Sequence, residues 1–273
     1  MRAAGPERQL VEEIRDAYDG SAAAWATGPA SVYRHLAAAL IGVAPGPLAG
    51  ARVLDLGTGT GVASEVLSAA GARPIGLDLA PAMLAYQQAH RPSGVAGDAH
   101  ALPFRDGAFD AVVAAFSLNH VPAPGVALGE CRRVVRSGGV VLASSFPNDA
   151  EHPAKAAVEG VLERFGYERP RWYRTFKDRV ATHTGDPRAL AEAATQTGLV
   201  DARVMRLDVE ADLHRADLAV AWRLNMPHTI GFVSGLDART RAELEARAIA
   251  ELSAELAALP SSVPMLALRA RVV

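Results

Sequence analysis

Val53-Leu54-Asp55-Leu56-Gly57-Thr58-Gly59-Thr60-Gly61 decides how this chain is read. A short apolar run holds one acid, and three glycines follow at alternate positions. Such runs are strands buried on both faces of a parallel sheet. The glycines mark a turn whose backbone comes close to another group. Val62 to Gly71 predicts a short helix stopped by Gly71. Strand, glycine loop and helix N-terminus together make a site for a nucleotide-like ligand with an anionic group. A dinucleotide fingerprint would need glycine at position 62, where the chain has Val62, and this argues against a nicotinamide or flavin dinucleotide.

Downstream, strands and helices alternate. Pro74 to Leu79 predicts a second strand, Pro81 to His90 a helix, and Val95 to Asp98 a third strand. Phe109 to Phe116 reads as a strongly buried strand, Pro124 to Arg136 as a helix, and Val140 to Phe146 as another strand. Strict alternation argues for a parallel sheet covered by helices on both faces. Upstream, helices are expected over 6–19 and 31–43. Alternation breaks after Pro147, where 148–184 reads as two helical pieces, one of them amphipathic (Ala154 to Phe165). It resumes with a helix opened by Asp186-Pro187 and closed at Gly198, then a strand over Ala202 to Val209. Helices over 212–225 and 237–258 and a last strand over Met265 to Val273 complete the pattern.

Composition narrows the function classes. The 28 basic and 30 acidic residues leave a formal charge of −2 with no basic run, which disfavours a nucleic-acid partner. The lone Cys131 excludes an internal disulfide and a cysteine-cluster metal site, and reads as a small buried residue. No metal is expected, because no two histidines share ligand spacing beside a carboxylate. No signal-peptide core is seen at the start, and no apolar stretch nears the roughly 18 residues of a membrane span. A soluble, cytoplasmic protein is the expectation.

The acids sharpen the ligand. Asp78 lies 17 residues beyond Gly61 at the end of the second strand, where a carboxylate can accept both ribose hydroxyls. Asp98 ends the third strand, within reach of an adenine amino group. With these residues in register, the chain resembles the class I S-adenosylmethionine-dependent methyltransferases, in particular the small-molecule group that includes the ubiquinone and menaquinone enzymes. The resemblance rests on residues 53–61, Gly76-Leu77-Asp78-Leu79, Gly97-Asp98-Ala99-His100-Ala101-Leu102-Pro103-Phe104, Phe109 to Val113 and Arg133 to Gly139. It covers residues 10 to 146 well and the last strand pair loosely.

The resemblance implies a Rossmann-like α/β fold, a seven-stranded, mostly parallel sheet whose last strand is antiparallel. It implies S-adenosyl-L-methionine as cofactor, with Gly57, Thr58, Gly59 and Gly61 around its methionine part and Asp55 near the amino group. Asp78 would hold the ribose, Leu79 and Met83 would flank the adenine, and Asp98 and Ala99 would bind its edge. Phe116 is counted with these, as is Tyr18, which either closes over the cofactor or packs on the core; Trp25 and Tyr33 are weaker lid candidates. His120, in the loop after the fourth strand, is the candidate base, with a packing role as its alternative. Asn119, Tyr173, Trp222, Arg223 and His228 are the acceptor-side candidates, Arg223 being placed to meet an acidic group; the alternative puts Trp222 in the core and Arg223 on a solvated face.

The expected layout is one domain over 1–273. It comprises an N-terminal helical lid (1–48), a cofactor core (49–146), a helical cap (147–185 and 210–258) and the rest of the sheet (186–209 and 259–273). So large a cap favours a bulky, partly apolar small-molecule acceptor such as a quinone or secondary metabolite, methylated by in-line displacement. Two alternatives stay open: a non-methylating enzyme of the same fold, catalysing cyclisation, elimination or hydroxylation, and a non-catalytic cofactor-binding scaffold. A homodimer stays open as well.

Overall fold

The structure is a computed structural model that describes residues 6–86, 88–255 and 259–273. The reading of residues 1–5 and the end of the helix expected over 237–258 lie outside that range. Seven strands form one sheet in the order β3-β2-β1-β4-β5-β7-β6. β1 (Arg52–Leu56) lies between β2 (Arg73–Asp78) and β4 (Phe109–Ala114), parallel to both. β3 (Gly94–Ala96) extends one side, and β5 (Val135–Ser145) the other, again in parallel. β7 (Ser262–Arg271) inserts antiparallel between β5 and β6 (Val200–Glu210), as expected for the last strand. Val53, Leu54 and Leu56 are buried on this central strand, which explains a run without apolar–polar alternation.

Pro264 sits inside β7 without disrupting it. Pairing of β7 with β5 ends at Leu266, so at Pro264 the strand has a partner only on the β6 side. A residue with no N–H is tolerated where one side of the strand is already an edge.

Helices cover both faces. On one, α3 (Pro29–Gly42), α4 (Val62–Ala69), α7 (Pro153–Arg164), α11 (Ala216–Leu224) and α13 (Ala238–Glu255) bury Leu36, Leu40, Leu67, Val158, Trp222 and Leu244. On the other, α6 (Pro124–Val134) and α10 (Pro187–Gln196) bury Leu128, Cys131 and Leu190. Burial pushes the Cys131 thiol up to about 12, so it stays protonated as a small apolar residue. The N-terminal helix α1 (Pro6–Asp19) packs Leu10 and Ile14 against Phe176 and Val180. Its last residue, Asp19, accepts a hydrogen bond from the Ala82 amide at 2.7 Å, tying α1 to α5 (Pro81–Ala85).

Several boundaries differ from expectation. α5 stops at Ala85, because Tyr86 turns extended, and only a 3₁₀ turn follows at Gln88–His90. β3 ends at Ala96, so Asp98 sits in a turn beyond it. β5 starts directly after α6 at Val135, with Gly138 at φ +79° and an irregular register against β4. The segment after α7 holds α8 (Arg171–Phe176), a π-helical turn (Lys177–Ala181) and α9 (Thr182–Thr184). Two further short helices, α2 (Ala22–Thr27) and α12 (Ile230–Gly235), were not expected. Each is only six residues long, below what periodicity can resolve.

Candidate active site

The sheet order reverses between β1 and β4, and a crevice opens there beyond the strand C-termini. Gly57 has φ +70°, and a Cβ on it would lie 2.3 Å from Ser117 Cβ in the loop after β4. Only glycine lets these two loops meet. Gly59 has φ +54° and differs: a Cβ there would meet nothing within 4 Å, and the residue lines the crevice with bare backbone. Gly61 starts α4 with φ +96° and lies against the Arg91 guanidinium, off the crevice wall.

The three expected acids converge on this crevice. Asp55 is buried, and its Oδ2 accepts from the hydroxyls of Thr58 at 2.6 Å and Ser64 at 2.7 Å. Its Oδ1 is buried with no partner among the described residues. Burial raises this carboxyl above its usual range, and the two hydroxyls partly offset that. Asp78 accepts from the Gly59 amide at 2.7 Å through Oδ2 and from the Ala80 amide at 2.9 Å through Oδ1. Each oxygen keeps a second lone pair for a ligand. Asp98 uses Oδ1 for the backbone and ring of His100, which holds its carboxyl below the usual range.

Phe116, in the loop just beyond β4, has a left-handed conformation, φ +54°, which is uncommon for a bulky residue and marks a constrained site. It packs edge-on to Tyr33, ring centroids 5.3 Å apart, and against Phe146 at 4.5 Å.

A second, larger cavity of about 390 Å³ adjoins the crevice. Tyr18, Tyr33 and His120 line both and form the wall between them. The Tyr18 hydroxyl lies 3.2 Å from His120 Nε2, and the imidazole stacks on Phe176 at 4.6 Å. Burial, with a lesser contribution from Lys177, lowers His120 to about 4, so the ring is neutral at pH 7. Its Nδ1 is buried with no partner among the described residues.

Of the residues expected from the sequence, Tyr18, Asp55, Gly57, Thr58, Gly59, Asp78, Leu79, Met83, Asp98, Ala99, Phe116 and His120 line the crevice. Asn119, Tyr173, Arg223 and His228 line the outer chamber instead. Two residues lie elsewhere. Gly61 supports the loop from behind, and Trp222 is fully buried between α11 and its neighbours, off the chamber wall. Large aromatics on a helix face are more often core, and Trp222 follows that rule.

Two residues had no signal in the sequence. Arg91 reaches back to donate to the carbonyls of Gly59 at 2.8 Å and Met83 at 2.9 Å, locking the glycine loop onto α5. Lys155 is buried with its Nζ 3.9 Å from the Phe146 ring centroid.

Residues 54–143 match the family described as "Methyltransferase domain". A demethylmenaquinone methyltransferase of Renibacterium salmoninarum is 34% identical over 157 residues, 57% of this chain and 65% of that protein. The chain thus spans less than two thirds of that relative's length. Residues 54–143 carry the match to that family, and the strand order of the sheet is the one expected of a class I methyltransferase fold. Two solved structures share the fold. Phosphoethanolamine N-methyltransferase 2 of Haemonchus contortus, in complex with phosphomonomethylethanolamine and S-adenosylhomocysteine, aligns with TM-score 0.55 at 17% identity. That alignment covers 86% of this chain and 52% of that one. The 4+2 cyclase SpnF aligns with TM-score 0.52 at 20% identity, covering 89% and 81%.

Proposed function

We propose that the protein transfers the methyl group of S-adenosyl-L-methionine to a small-molecule acceptor by in-line displacement. One observation supports this most: the crevice and the outer chamber share a single wall, made of Tyr18, Tyr33 and His120. Transfer between two bound molecules needs two compartments that meet at one point. Holding the reactants in line there can supply a large share of the barrier reduction, at best about 7–11 kcal/mol.

The residues of the crevice fit this cofactor, which when bound supplies an electrophilic sulfonium methyl group. Asp55 Oδ1 is a buried acceptor awaiting a donor, suited to the amino group of the methionine part. The bare backbone at Gly57–Gly59 would lie along that part, with Thr58 beside it. Asp78 would hold the ribose hydroxyls with its outward lone pairs, Leu79 and Met83 would flank the adenine, and Asp98 and Ala99 would bind its edge. Tyr18 would close the crevice from α1.

His120 is free of a proton at pH 7 yet holds one weakly, since its imidazole titrates at about 4. A base of that strength moves a phenol proton poorly, so the role that fits His120 is to shape the shared wall with Tyr18. Aromatic rings of Phe146, Trp172, Tyr173 and Phe176 line the outer chamber. They favour a flat, quinone-like or secondary-metabolite acceptor, a reading that the resemblance to demethylmenaquinone methyltransferases supports.

Incubation with methyl-labelled cofactor and flat aromatic acceptors tests the reaction, with label expected in the acceptor. Conversion of an acceptor without label would replace this reading by a non-methylating one. For Asp78→Ala, adenosylhomocysteine affinity should fall at least about a hundredfold, as when a charged hydrogen-bond partner is lost twice over, while circular dichroism stays native. Unchanged affinity would break the ribose assignment.

A further inference from the structure

The outer chamber carries more buried positive charge than its own residues neutralise. Arg223, on α11, is 6% exposed, and no carboxylate among the described residues lies within 4 Å of its guanidinium. Among the described residues it hydrogen-bonds from Nη2 to His228 Nε2 at 3.3 Å, and the Tyr173 hydroxyl lies beside it. Arginine can only donate, so Nε2 accepts and His228 is neutral. Burial and the nearby Arg223 hold that imidazole well below its ordinary value. Lys155, on α7, is 8% exposed, and among the described residues its only carboxylate partner is the exposed Glu151, a loose 3.6 Å away. Burial first, then Arg223, lower the Lys155 ammonium to about 7.

A buried cation without a counter-charge is expensive. Proteins retain such groups where a ligand supplies the opposite charge. Of the cations lining the chamber, Lys177 is exposed and Lys155 is only half protonated near pH 7, so Arg223 is the one fully charged buried cation, which fits a monoanion better than a phosphate dianion. Arginine's planar fork matches a carboxylate in two parallel hydrogen bonds. The rings of Phe146 and Tyr173 beside these cations offer faces for a flat apolar body.

We propose that the acceptor is a flat aromatic or conjugated carboxylic acid, anchored in the outer chamber by its carboxylate between Arg223 and Lys155. This rests on the reading of the outer chamber as the acceptor site of a methyltransferase.

Binding of 1-naphthoate and of the uncharged 1-naphthamide, measured calorimetrically on the full chain saturated with adenosylhomocysteine, separates the two ideas. The acid should bind about tenfold or more tighter than the amide, the size of one charge-assisted hydrogen bond. Lys155→Met should erode that preference and Arg223→Gln should remove most of it, while both variants keep wild-type affinity for adenosylhomocysteine. Equal affinities for acid and amide, no binding of either, or a preference that survives in both variants would overturn the proposal. Should Arg223→Gln fail to fold, the Lys155→Met result decides alone, with full retention of the preference counting against it. Loss of adenosylhomocysteine binding by the wild type would instead break the methyltransferase reading, independently of the naphthoate result.

Discussion

The crevice and the outer chamber are built by opposite means. The ligand-facing end of the crevice is made of backbone and short polar side chains at the ends of β1 and β2, braced from behind by Arg91, while Tyr18, Trp25, Tyr33, Met83, Phe116 and His120 close its sides. The outer chamber is made of long side chains brought in by α7, α8 and α11, including two buried cations and a set of aromatic rings. One is shaped by geometry that few residue types satisfy, the other by whatever fills space and charge. That difference sorts the expected effects of mutation: substitutions in the crevice should cost stability or binding, and removing a cation from the chamber should add stability.

The largest effect is expected at Gly57. Alanine there meets Ser117 Cβ at 2.3 Å in a left-handed backbone conformation. Overpacking and backbone strain together should destabilise the fold by about 3 kcal/mol, read as a lowered urea midpoint. A near-native midpoint would mean that the loops after β1 and β4 part easily, and the crevice would be softer than described. Gly59→Ala gives the sharper contrast. Its Cβ would face open space, so stability should fall by only about 1–2 kcal/mol, the cost of the left-handed conformation. Adenosylhomocysteine affinity should nevertheless fall, by about tenfold or more, if the ligand lies against that bare backbone. Unaltered affinity would move the methionine part of the ligand away from Gly59.

The contrast also explains what could be read from the chain. Asp55, Gly57, Gly59, Asp78 and Asp98 were legible because each sits at or just beyond a strand end, where sequence position alone fixes placement once the sheet is recognised. Arg91 was not, because its role is a reach back of 32 residues to the Gly59 carbonyl and nothing local marks it. In the outer chamber, Phe146 from the loop after β5 meets Lys155, Tyr173 and Arg223 from three different helices. Lys155 sits on an amphipathic helix, where a lysine ordinarily reads as a solvated face, and only the packing of α7 against α11 buries it. Trp222 and Arg223 split the two readings open to them: Trp222 points into the core, while Arg223, next to it in sequence, is buried on the chamber wall.

Lys155→Met tests the chamber's side of the comparison. The thioether fills similar volume without a buried charge, so stability at pH 7 should rise by about 1–2 kcal/mol. The sign with pH follows from the lowered Lys155 titration. The unfolded lysine holds its proton up to about pH 10 while the folded one releases it near 7, so the wild type gains stability as pH rises between those values. The variant lacks that gain, and its advantage should shrink in alkali. A variant less stable than the wild type at pH 7 would show that the cation is already well compensated.

The smallest effect expected is at the wall that the two regions share. The folded His120 imidazole takes up a proton only near pH 4, whereas the unfolded one does so near 6.5. Stability from this group is therefore complete above 6.5 and declines as pH falls, by about 1 kcal/mol between pH 7 and 5.5. His228 is also held well below its ordinary value and adds a similar acid dependence, so the test is a difference between proteins. Phenylalanine at 120 can keep the stack on Phe176 while giving up the bond to Tyr18. His120→Phe should lose about 1 kcal/mol less than the wild type over that pH range, in urea titrations at the two pH values. If both lose the same amount, His120 is reached by water, and the wall between crevice and chamber is open in solution.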